Sequence, residues 1–251
     1  MPPVADGRSF EEDVELLWGL RDTPRRGPRP TLTVDEIVRA AVDIADTDGL
    51  AAVSMARVAE RLGNAPMALY RHVRSKSELL TLMADAAMDT PPPPADGTGW
   101  RPALTAWARG IITMFRAHPW AATLPLTGPP VGPRNLAWFD AALAALDDTG
   151  LAPALKVGVV MGLITYVQGE IRLTAELAAA FTDNPEAFGA RYGAALARVV
   201  DPRTLPALAA VVAAGVFDEA ATDFGADVAA DFDFGLECFL DGVAVTIERR
   251  G

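Results

Sequence analysis

Cysteine, histidine and tyrosine are all scarce in this chain, and each shortage excludes something. A single cysteine, Cys238, rules out an internal disulfide and any zinc site built from cysteines. The two histidines, His72 and His118, supply no imidazole set for a metal centre, so no metal and no cofactor are expected. Strand formers in period-two alternation are also rare, which argues against a sheet. The longest apolar runs, residues 157–167 and 206–217, fall short of the ~20 residues that a membrane span needs. They read as buried helices, and no membrane partner is expected. The opening MPPVADGRSF lacks the basic start and apolar stretch of a secretory signal, so a cytoplasmic location is expected.

What the chain does have is alanine and acid. Hydrophobic residues make up 51% of its 251 positions, enough for a sizeable core, and the alanine richness predicts an all-α protein. The net charge is -11, but it is unevenly placed. Residues 55–77 hold Arg57, Arg61, Arg71, Arg74 and Lys76 against Glu60, a local excess of +4. Residues 77–251 hold 11 Lys/Arg against 21 Asp/Glu. One face can therefore meet a polyanion while the remainder repels it.

Residues 1–30 form an extension. FEEDVELLWGL (10–20) fits a short amphipathic helix carrying Leu16, Leu17 and Trp18. RDTPRRGPRP (21–30) places Arg21, Arg25, Arg26 and Arg29 among residues that forbid a regular helix. It reads either as a solvated linker or as a basic arm laid along DNA phosphates or into the minor groove. A helix then opens at Thr33 with Glu36 as a capping box, buries the stripe Val34, Ile37, Val38, Ala41, Ile44 and Ala45, and ends at Gly49. A second runs from about Ser54 to Leu62 and stops at Gly63. A third begins at Asn64 or Ala65, with Asn64 as the cap and Pro66 in its first turn. A fourth opens at Ser75, where SKSE is a further capping box. TPPPPADGTG (90–99) breaks the pattern and sets the domains at 31–90 and 91–251. Beyond it, helices are expected near 101–117, 134–148, 153–180, 185–200, 203–214 and 231–249.

Residues 54–73 follow the helix-turn-helix plan, in which the second helix enters the major groove. The next helix start, RSKSE, offers backbone N–H groups and Lys76 to a phosphate. The stretch 33–87 resembles the N-terminal domain of the TetR family of transcriptional repressors. Ala41, Gly49, Val58, Ala59, Leu62, Gly63, Leu69, Tyr70, His72, Lys76 and Leu80 carry the likeness. FRAHPW (115–120), GPRNLAWFDAALAALDDTGL (132–151) and FDFGLECFLDGV (232–243) look like the C-terminal domain of actinobacterial members. The resemblance implies a homodimer with DNA-binding heads on a larger helical ligand-binding and dimerisation domain. It also implies roles. Leu69 faces inward; Ser54, Tyr70, His72 and Lys76 hold phosphates; Pro66, Met67, Ala68 and Arg71 face bases; Arg57 joins the DNA-binding set. Phosphate contacts set register, and base contacts specify sequence. The plainer alternative leaves Tyr70 and His72 as satisfied residues at a domain seam.

Two departures from the family pattern stand out. Ala65 occupies a position where members often carry Ser or Thr, and Ala56 one where some carry a base-contacting Arg. Direct readout is then thin, with specificity shifted to DNA shape or to Arg25, Arg26 and Arg29. In the larger domain, Trp107, Phe115, Trp138, Met161 and Tyr166 fit either a filled core or the lining of a cavity. His118, Asn135, Thr165, Gln168, Glu170 and Arg172 are its polar candidates. Without further histidines, a magnesium–tetracycline effector is not expected. The helix near 155–175 and the last helix form the dimer face by resemblance, with packing inside one chain as the alternative.

The leading expectation is a ligand-released repressor on a palindromic operator. One alternative is a ligand-independent or activating regulator. Another is a helical small-molecule-binding enzyme using His118 and Glu170, although no nucleophile–base pair supports it and the chain is read as a non-enzyme.

Overall fold

The head is built from helices that start where the sequence supplies a cap. The computed structural model describes residues 8–21, 32–93, 99–124, 131–180, 186–217 and 224–249, and among them helices are the only extended regular structure. Helix α1 (Phe10–Leu17) follows Ser9, which forms a capping box with Glu12. Helix α2 (Val34–Asp48) opens on the Thr33–Glu36 box and stops at Gly49. Helix α3 (Met55–Arg61) is capped by Ser54, and α4 (Pro66–Leu69) follows the turn at Gly63. Gly63 has φ +65°, a conformation that residues with a side chain seldom adopt. Helix α5 (Lys76–Ala86) starts after Ser75.

Two expected caps are corrected. The N-cap of α4 is Ala65, which makes no side-chain capping bond. Asn64 instead donates its amide to the Leu62 carbonyl at 2.8 Å and closes the preceding turn. Pro66, lacking an N–H at the first position, leaves that helix end with one fewer orphan donor. At α5, the Ser75 hydroxyl accepts the Glu78 N–H at 3.1 Å, but the Glu78 carboxylate reaches one residue further back, to the Arg74 N–H at 2.8 Å. Its other oxygen meets the Arg21 guanidinium at 2.9 Å.

Ile37, Ala41 and Ile44 of α2, Val58 and Ala59 of α3, Leu69 of α4, Val73, and Leu79 and Met83 of α5 make a fully buried core. Each large aliphatic side chain buried there contributes roughly 1.5–3 kcal/mol. Leu16 of α1 is buried as well, and α1 packs against α5.

The remaining helices are α6 (Trp100–Ala117), α7 (Pro133–Ala144), α8 (Pro153–Ala180), α9 (Glu186–Val199), α10 (Pro206–Ala213) and α11 (Phe224–Glu248). Helix α11 starts well before the expected 231, and α7 gives way to a 3-10 turn at Asp147–Thr149. The chain forms two compact units, residues 1–167 with 247–251, and residues 168–246. This division falls within α8, and specific bonds tie α7 to α5 inside the first unit.

Those bonds centre on Asp85, a buried carboxylate. Its Oδ1 accepts the Asn135 backbone N–H at 3.1 Å and the Asn135 side-chain amide at 3.0 Å. Its Oδ2 accepts the Arg134 N–H at 3.4 Å. A carboxylate from one helix thus caps the open N–H groups of another. The Arg134 guanidinium returns the favour at the α5 C-terminus, donating to the Ala86 carbonyl at 2.6 Å. The Trp138 indole N–H donates to the Asp89 carbonyl. Gly132 is required for this approach, since a Cβ there would lie 2.0 Å from Asp85 Oδ1.

The expectation of buried apolar helices is corrected too. Helix α8 is one 28-residue helix, and its Pro153–Glu176 stretch is long and apolar enough to cross a membrane by length and composition. Within it Val160, Leu163 and Val167 are buried, whereas Val157, Met161 and Leu173 are exposed. Helix α10 buries no residue. A helix buries only the face that its own chain covers, and the run of apolar residues around these two exceeds that face. In the second unit Phe232, Leu236, Leu240 and Val243 form the buried stripe of α11. Tyr192 and Phe217 meet edge to face at 5.5 Å.

Asp85→Ala should cost roughly 1–2 kcal/mol, the scale of a lost N-cap, in a urea titration. Glu78 gives a second expectation. Burial pushes its carboxyl up, but hydrogen bonds from Arg21 and the Arg74 N–H, with the charges of Arg21 and Arg8, outweigh it and hold the group below its ordinary value of 4.5. The stability it contributes is therefore complete above pH 4.5 and is lost as the pH falls through the lower, folded-state value. The stability gap between wild type and Glu78→Gln should narrow over that acid window in pH-dependent urea melts.

Candidate nucleic-acid interface

The short helix α4 owes its position to what it buries. A four-residue helix has no stability of its own. Leu69 and, just beyond it, Val73 anchor it in the core. With those residues inward, Pro66, Met67, Tyr70 and Arg71 are left exposed, with Ala68 and His72 half-buried. Met67 is 70% exposed and Tyr70 41%, and among the described residues of the head (32–93) they are the two large apolar side chains so exposed. The spacing 66/70 and 67/71 puts them on one side of the turn.

Around this face lie the remaining candidates. The Ser54 hydroxyl accepts the Arg57 N–H at 3.2 Å, which leaves its own hydrogen to donate outward. Lys76 is exposed in the first turn of α5. Arg57 is paired with Asp48 at 2.5 Å, both partly exposed, so part of its charge is already met within the head. Arg25, Arg26 and Arg29 lie outside the described residues.

The expected ligand-site residues divide between the two units. Trp107 and Trp138 meet edge to face at 5.9 Å, both buried, and the Trp107 indole N–H donates to the Trp138 carbonyl at 2.7 Å. Phe115 is half-buried in α6. The His118 ring is bonded to Asp46 of α2 at 2.8 Å. The Trp120 indole N–H meets the same carboxylate oxygen at 2.6 Å. Asn135 is committed to Asp85. Met161 and Thr165 are exposed, one turn apart on α8, because the stripe at 160, 163 and 167 takes the inward positions; Tyr166 is half-buried. Gln168 and Arg172 belong to the second unit, where Gln168 is half-buried and Arg172 is exposed and paired with Glu176. Burial and the charge of nearby Asp231 push the Glu170 carboxyl upward. Among the described residues, no three His, Cys, Asp or Glu side chains cluster as a metal site.

Sequence reasoning missed Arg8, Asp46, Asp85 and Arg134, whose roles depend on partners 48 to 74 residues away. No local spacing signals such bonds.

Comparison with known proteins decides the family. Residues 37–83 match the profile of bacterial regulatory proteins of the tetR family, and residues 93–247 match the tetracyclin repressor-like C-terminal domain. The chain belongs to the TetR family. It is 37% identical over 249 residues to the HTH-type transcriptional repressor DrrR1 of Streptomyces coeruleorubidus, covering 95% of this chain and 87% of that protein. An HTH-type transcriptional regulator of Saccharopolyspora erythraea is 33% identical, covering 92% of each. The crystal structure of Streptomyces coelicolor ActR in complex with (S)-DNPA matches with TM-score 0.71 and 25% identity, over 86% of this chain and 99% of that one. ActR is also known in complex with actinorhodin. These relatives are transcriptional regulators, which places this TetR-family chain among DNA-binding regulators and not among enzymes.

If α4 reads DNA, Arg71→Ala and Tyr70→Phe should each weaken binding to the operator duplex, the first by roughly 1–3 kcal/mol, in fluorescence anisotropy. Their thermal stability should stay within about 0.5 kcal/mol of wild type, as for exposed sites. Leu69→Ala should instead destabilise the fold by roughly 2–5 kcal/mol.

Proposed function

We propose that this TetR-family chain is a cytoplasmic, homodimeric repressor that grips a palindromic operator and is released from it by a small apolar ligand. The observation that carries the reading is the outward face of α4, where Met67, Tyr70 and Arg71 are exposed above a fully buried Leu69. Such exposure has no value to an isolated head, but it suits a surface that meets bases and phosphates. Residues 31–90 serve as the DNA-binding domain and residues 91–251 as the ligand-binding and dimerisation domain. Ser54, Tyr70, His72 and Lys76 hold phosphates; Pro66, Met67, Ala68 and Arg71 face base edges. Arg57 and the arm residues Arg25, Arg26 and Arg29 add charge.

Two further observations support the dimer and the ligand. Exposed apolar side chains on α8 (Val157, Met161) and, in the other unit, on α11 (Phe234, Val245) are each available to a second copy. ActR, of similar fold, is known with small molecules bound. A ligand shifts such a regulator only by binding one head arrangement more tightly than the other. The Asp85–α7 bonds give that preference a route from the core helices to α5 and the head.

Salt tests the reading. A dimer making about 6–10 phosphate contacts should lose roughly 10³–10⁵ in operator affinity between 50 and 200 mM salt. A flat response in anisotropy titrations would rule out the phosphate-gripping head. Sedimentation equilibrium should return twice the 26.5 kDa chain mass; a monomer at micromolar concentration would remove the palindrome.

A further inference from the structure

The N-terminal segment is attached to the protein at three separate points. At its start, the Arg8 guanidinium donates to the Ser77 hydroxyl at 3.2 Å and the Thr81 hydroxyl at 3.0 Å, both on α5. At its end, Arg21 pairs with the buried carboxylate of Glu78, also on α5. Between them Leu16 is buried, and the Trp18 indole N–H donates to the Val131 carbonyl at 2.8 Å, two residues before α7 begins. Arg8 is further fixed by Asp13 at 3.2 Å.

These contacts have different destinations. Two grip the helix that closes the DNA-binding head; the third grips the backbone that leads into α7. We propose that residues 8–21 form a strap across the joint between head and core, holding α5 at a fixed angle to α7 and so keeping the head in its DNA-competent orientation. The strap acts beside the Asp85 bonds but from the opposite end of α5: it grips residues 77, 78 and 81, and Asp85 lies one to two turns further on. The two attachments resist rotation where either alone would act as a pivot. Arg8, Trp18 and Arg21 are thus positioning residues for operator binding, whether or not the following basic arm touches DNA. The inference rests on the DNA-binding reading for its consequence, though not for its geometry.

The test uses the full chain with the arm intact. The variant Arg8→Met with Trp18→Phe keeps apolar bulk but removes the donors at both destinations. Hydrogen exchange followed by mass spectrometry needs no DNA. Exchange should quicken about tenfold or more in residues 10–18 and also in 132–138, while the α2 amides stay protected. Affinity for a palindromic duplex selected in vitro by the wild-type chain should fall about tenfold if the competent fraction drops to about a tenth. Its salt slope should not change. Faster exchange confined to residues 10–18, with affinity intact, would make α1 a passenger and overturn the strap. Unchanged exchange throughout would do the same. A reduced salt slope would assign these residues to phosphate contact and likewise overturn it. Failure to select any duplex would sink the DNA-binding reading alone, since the exchange result at 132–138 still decides the strap.

Discussion

A carboxylate removed from water has to be met by cations or N–H donors, and α5 carries two of them, Glu78 and Asp85. They stand seven residues apart, two turns along one helix, so their demands point to broadly the same side. Glu78 is met by Arg21 of the N-terminal segment and by the Arg74 N–H. Asp85 is met by the first turn of α7. Two otherwise distant parts of the chain are therefore assembled on α5 by the cost of leaving either charge alone. The same helix places Leu79 and Met83 in the head core. Displacing α7 and keeping Asp85 satisfied requires α5 to follow, and with it the head.

The outward face of α4 depends on the same core in a different way. Helix α4 is too short to hold its shape, so Leu69 and Val73 define where Met67, Tyr70 and Arg71 point. The missing side-chain cap at Ala65 is tolerated because Pro66 and the Asn64–Leu62 turn already fix the entry of the chain. Rigidity at this surface comes from burial beneath it and owes little to its own hydrogen bonds.

Features written in consecutive residues were legible. The capping box at Thr33, the stripe from Ile37 to Ala45 and the turn at Gly63 rest on local spacing, the inward Leu69 came with the family resemblance, and the helices of the larger domain followed from alanine-rich runs between breakers. The family emerged from the same stretch. What escaped reading has a common physical character: it joins residues far apart. Nothing around Asp85 distinguishes it from a solvated helix carboxylate until Gly132 lets α7 approach. His118, a ligand-site candidate by sequence, shares the distant Asp46 with Trp120. The apolar helices looked buried because composition reports hydropathy and not which neighbour covers a face; α10 and the outer side of α8 show the difference.

Charge counting from sequence also overstated the basic face. Of the five cations in residues 55–77, Arg57 is met by Asp48. Arg21, which opens the basic stretch of the extension, is spent on Glu78. Each such pair lowers the number of phosphates a head can neutralise, and nonspecific affinity depends on that number. The acidic remainder of the chain lowers it further by long-range repulsion. On the proposed reading, more of the head's binding energy then comes from contacts that need the right duplex, with Met67 and Arg71 at base edges and the phosphate donors in register. On that reading, pairing Arg57 within the head trims the share of affinity that is blind to sequence and leaves the share that needs the right duplex.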